Sequence, residues 1–153
     1  SPNVCRRFCR SFRYPLQMGQ CSPRYTTSIV KFSGEFGVTP FVVSSDQQDR
    51  AVEAKQSWGL DKLQMGYGLT LQQGRDLGLY ISNSRGKTST GVVEPDLFVE
   101  PGLFLIKPDR TLYFGSVQTM PFARPQFAEI EGALKFVLAN DYPARGEVDD
   151  IPS

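Results

Sequence analysis

The sequence predicts an α/β protein whose parallel core strands are extended by an antiparallel edge, with helices on both faces. Two observations carry that prediction. Short apolar runs alternate with stripes at helical spacing between residues 22 and 81, the pattern of strands joined by crossover helices. Then Glu100 to Gly115 reads as a β-hairpin, in which Leu103 to Ile106 is an apolar run, Pro108-Asp109-Arg110 supplies the turn and Thr111 to Phe114 is the return strand. A last helical stripe follows it.

Taken in order, Ser1 to Gln20 is a basic segment of uncertain order, in which Arg6, Arg7, Arg10 and Arg13 alternate with Phe8, Phe12 and Tyr14. Its readings are an extension without an evolved role, a surface arm, or a targeting or anion-binding segment. Phe12 to Met18 offers a first strand that Pro15 confines to an edge. From Ser22 the signals sharpen: Ser22 is an N-cap, Pro23 suits the first helical position, and Tyr25, Ile29, Phe32 and Phe36 form a stripe ending at Gly37.

Val38 to Ser45 is expected to be a buried strand, and Asp46 to cap a helix with Ala51, Ala54 and Trp58 on one face. Leu63 to Tyr67 reads as a short strand, and Thr70 with Gln73 as a capping box for a brief helix stopping near Gly78. Ser82 to Val99 reads as a long loop. Pro125 opens the final helix, with Phe127, Ile130, Leu134, Val137 and Leu138 on one face, until Asn140-Asp141 and Pro143 end it. Residues 21–147 are thus expected to make one domain, with a loose acidic tail over 148–153.

Composition narrows the chemistry. The chain has 153 residues, 40% of them hydrophobic, enough for a real core, and no run approaches the ~18 apolar residues of a membrane span. Five arginines and no acid fall within residues 1–24, leaving twelve bases against sixteen acids in the rest, so a nucleic-acid-binding face on the main body is not expected. There is no histidine, which removes Ser-His-Asp and Cys-His hydrolases, His-ligated zinc and a histidine base. No metal and no cofactor are called for. Cys5, Cys9 and Cys21 are odd in number and clustered, which suits a reducing compartment, the cytoplasm, better than an extracellular disulfide framework.

Other motifs are weak. Gly86-Lys87-Thr88-Ser89 lacks the glycine that a phosphate-binding loop needs five positions earlier, where Ile81 stands, and so reads as a solvated loop. Asp49 with Glu53 and Glu129 with Glu131 read as surface charges, and Trp58 and Tyr67 as core or near-core aromatics. Pro101 directly before an apolar strand is more unusual. It is either an ordinary trans proline at a strand start or a cis proline marking a site.

Val42-Val43-Ser44-Ser45-Asp46, Ser57-Trp58-Gly59-Leu60, Met65-Gly66-Tyr67-Gly68-Leu69, Leu77-Gly78-Leu79-Tyr80-Ile81-Ser82, Glu100 to Ile106 and Gly115 to Pro125 together resemble the thioredoxin-like, peroxiredoxin-like proteins of the AhpC/TSA group over about residues 25–147. The resemblance implies a thioredoxin-like fold in which a cysteine at the start of the first long helix reduces peroxide or exchanges disulfides, and in which Pro101 takes the cis-proline position facing that cysteine. Cys21 is the only cysteine at such a place, directly before Ser22-Pro23, where a helix terminus and Arg24 lower a thiol pKa without histidine. Arg124, at the hairpin exit, either adds charge to that site or is a solvated arginine.

The relatives usually carry a Cys-Pro-x-Cys motif; this chain has Gly19-Gln20-Cys21-Ser22-Pro23-Arg24-Tyr25 and no CxxC. Two functions follow. One is a thiol peroxidase or oxidoreductase using Cys21, with a peroxide or disulfide substrate and a thiol reductant. The other is a catalytically inactive thioredoxin-like module that binds or dimerises through a sheet edge or aromatic patch.

Overall fold

The computed structural model describes residues 37–57, 60–61, 63–87, 93–123, 125–148 and 150–151. The basic N-terminal segment, the expected helix from Ser22 to Phe36, all three cysteines, Trp58 and Arg124 lie outside the described residues. Within them the chain is mixed α/β, in the order β1 (Phe41–Val43), α1 (Gln48–Ser57), β2 (Gln64–Gly66), α2 (Leu71–Asp76), β3 (Ile81–Asn83), β4 (Leu97–Val99), β5 (Gly102–Ile106), β6 (Leu112–Val117), a 3-10 turn (Pro121–Ala123) and α3 (Phe127–Asn140).

β1 and β2 are parallel, with Phe41 opposite Gln64 and Val43 opposite Gly66. A parallel pair needs a crossover, and α1 is that crossover. The strand is shorter than its apolar flanks suggest, because its ends turn to local bonding. Pro40 has no N–H to give, and beyond Val43 the Ser44 hydroxyl accepts from the Asp46 N–H at 3.0 Å and donates to its carboxylate at 2.9 Å. That places Asp46 ahead of the helix rather than on its cap. The Ala51 N–H donates to the Gln47 carbonyl at 3.1 Å, so Gln47 holds the cap position and Asp46 meets Arg50 in an exposed ion pair at 3.7 Å.

α2 forms as its sequence requires. Thr70 Oγ1 accepts from the Gln73 N–H at 3.2 Å while Gln73 Oε1 accepts from the Thr70 N–H at 2.9 Å, a reciprocal capping box. At the other end the Gly78 N–H donates to Arg75 O and the Leu79 N–H to Gly74 O, both at 2.9 Å. This is a Schellman closure, and it needs the left-handed Gly78, whose φ is +77°.

The stretch expected to be one long loop contains two strands. β3 and β4 pair antiparallel with Ile81 opposite Val99 and Asn83 opposite Leu97, and a bridge from Lys87 to Val93 prolongs the arm. Ser82 and Asn83 have little intrinsic strand preference, so the pairing with Leu97 and Phe98 decides their conformation.

The hairpin forms where expected, with Gly102 opposite Val117 and Phe104 opposite Gly115. Its turn is a three-residue loop: the Arg110 N–H donates to Lys107 O at 2.8 Å, and the Lys107 N–H to Thr111 O at 2.9 Å. Arg110 is left-handed at φ 72°, the position where such loops usually carry glycine. β5 is buried only at Gly102 and Leu103 and half-buried from Phe104 to Ile106, so it is not covered on both faces along its length.

α3 starts two residues after Pro125 and closes on a left-handed Asp141 at φ 46°. Leu134 is buried and Ile130 and Val137 half-buried, whereas Leu138, one turn beyond Leu134, is 57% exposed. The Tyr113 hydroxyl donates to Tyr142 O at 3.0 Å and Arg145 Nε donates to the Tyr142 hydroxyl at 3.1 Å, tying the end of α3 to β6.

Among the described residues the strands make three two-stranded sheets, not one central sheet. β1 to β4 are three residues each, which leaves them few ladder bonds with which to extend sideways. Side chains connect the pairs instead: Phe41, Val43, Leu69, Leu79 and Val99 form one buried cluster, against which Leu71, Leu77, Phe104 and Val117 pack. Val42, Leu60 and Leu63, with Met65, form a second, so β1 sends alternate residues into two apolar clusters as a doubly buried strand does. Tyr67, expected in or near the core, is 50% exposed, since the chain turns away at Gly68 after β2. No helix among the described residues is long and apolar enough to cross a membrane.

Candidate functional site

The residues around Pro101 form the one part of the expected site that can be built from described atoms. Pro101 joins β4 to β5 and is half-buried. No peptide bond among the described residues is cis, so the Glu100-Pro101 bond is trans: of the two readings of this proline it is the ordinary trans one, not the cis geometry that the resemblance implies. A trans proline is tolerated here because the lost donor falls at the strand junction. The neighbouring Glu100 N–H donates to Tyr80 O at 2.8 Å, and the Pro101 carbonyl accepts from the Gln118 N–H at 3.5 Å.

Immediately ahead of it lies Glu100, which no motif in the sequence marks. Glu100 is 8% exposed, the only buried polar or charged residue among those described, and its Oε1 accepts a 2.6 Å hydrogen bond from Ser82 Oγ. That length lies within the ordinary range of an O–H···O hydrogen bond. It crosses eighteen positions of sequence and ties the middle of β3 to the residue before Pro101. The available signal was a lone carboxylate closing the apolar run Leu97-Phe98-Val99. What it lacks is a visible donor, because the polar run from Ser82 onward carries no strand signal in the sequence.

The next residue closes the site from below. A Cβ built on Gly102 would stand 2.5 Å from Leu79 Cδ2 and 3.0 Å from Phe104 Cε2, so only glycine allows β5 to approach the Leu79 side chain this closely. Pro101 is therefore held between a clasped acid and a close-packed glycine. This arrangement can present a fixed apolar ring to a neighbouring group, and its carboxylate can accept hydrogen bonds.

Of the three expected site residues the structure describes Pro101, while Cys21 and Arg124 lie outside the described residues. The acidic pairs behave as surface charges: Asp49, Glu53 and Glu129 are exposed, and Glu131 pairs with Lys135 at 3.3 Å. Gly86 and Lys87 are exposed in the arm between β3 and β4. Comparisons of the chain with protein-family models, with curated proteins and with solved structures return no match.

Proposed function

We propose that the chain is a thioredoxin-like domain of the peroxiredoxin-like kind, acting as a thiol oxidoreductase through Cys21. The supporting observation is the order of its elements: a parallel β1–β2 pair joined through α1, then a hairpin entered through Pro101, then α3. These elements carry the residues of the resemblance. In this reading the Cys21 thiolate attacks the terminal oxygen of a peroxide. The S–O bond forms as the O–O bond breaks, the sulfur is oxidised to a sulfenic acid, and the alkoxide or hydroxide released takes up a proton. An external thiol then displaces water to form a mixed disulfide, and a second thiol restores Cys21. Arg124 supplies positive charge and Pro101 the apolar wall. A reducing compartment, the cytoplasm, belongs to the same reading.

One observation favours the second reading, a catalytically inactive module for binding or dimerisation. The trans Glu100-Pro101 bond differs from the cis geometry that the enzyme reading assigns to that position. A single set of measurements separates the two. Peroxide consumption by the wild-type chain should persist in the Cys5→Ser, Cys9→Ser double variant and vanish in Cys21→Ser. The pH midpoint of alkylation at Cys21 should fall well below the ~8.5 of a free thiol. Equal consumption by wild type and Cys21→Ser, or an unperturbed midpoint, selects the inactive module.

A further inference from the structure

We draw no further inference here: the strongest candidate, the exposed apolar side chains of Leu112 and Phe114 on β6 and of Met120 and Phe122 at the 3-10 turn after it, is an unpartnered apolar surface, and nothing in the structure shows what covers it.

Discussion

Glu100 shows how one polar side chain can fix a junction that apolar packing alone would leave adjustable. Its burial takes a carboxylate largely out of water, which is tolerable only because donors such as Ser82 reach it. Removing the Ser82 hydroxyl leaves the acid in place and deletes one of its donors, so Ser82→Ala should lower stability by ~1–3 kcal/mol. Urea unfolding checks this, and an unchanged midpoint would show that the bond carries no net energy. Gly102 acts at the same junction through shape. Its approach to Leu79 leaves no room for a methyl group, and Leu79 is itself buried among Phe41, Val43, Leu69 and Val99, so it cannot readily move aside. Gly102→Ala should therefore cost ~1–3 kcal/mol through overpacking, although alanine is otherwise the better strand residue. A thermal midpoint equal to wild type would mean that Leu79 has an alternative rotamer open to it.

At the scale of elements, the hairpin turn is held by its own side chains. Asp109 Oδ1 accepts from the Thr111 N–H at 2.9 Å and from the Thr111 hydroxyl at 2.7 Å. Chiefly through the Thr111 hydroxyl bond, and then its N–H, the carboxyl titrates below its ordinary 3.8. A carboxyl whose folded pKa is depressed adds stability above its unfolded value and loses it as pH falls through the folded one. Asp109→Ala should thus be less stable than wild type at neutral pH, with the gap narrowing below about pH 4; paired urea curves at pH 7 and pH 3 check the sign, and a gap that widens in acid would contradict it. Elements fixed by such local bonds were legible in the sequence: the hairpin with its Pro-Asp turn, the Thr70–Gln73 box and the Gly78 stop all stand where their residue types place them. β3 was not legible, because Ser82 and Asn83 become strand only by pairing with a segment fourteen or more residues away. Asp46 misled for a related reason. It is a good cap residue by type, but its carboxylate accepts from the Ser44 hydroxyl, one residue ahead of the cap.

At the scale of the molecule, the alternation of elements and the mixed α/β class could be read from the sequence, whereas the way the strands associate could not. Apolar runs declare that Phe41, Val42, Val43 and Leu103 are buried; they do not declare whether strands meet edge to edge or through side chains. Nor could the Glu100–Ser82 clasp be read, since neither residue signals its partner across eighteen positions. The architecture carries a consequence for cooperativity. Three separate two-stranded sheets would be marginal alone. The cluster of Phe41, Val43, Leu69, Leu79 and Val99, with Phe104 and Val117 packed against it, draws residues from all three pairs. Leu79, 3% exposed, belongs to no strand and yet touches this shared core. Leu79→Ala should cost ~2–5 kcal/mol. The loss should appear as faster amide exchange in β1, β4 and β5 together rather than near residue 79 alone, because one shared core makes the pairs open as a unit. Exchange that quickens only in α2 and β3, with β5 and β6 keeping their protection, would instead show that the hairpin is stable without that core.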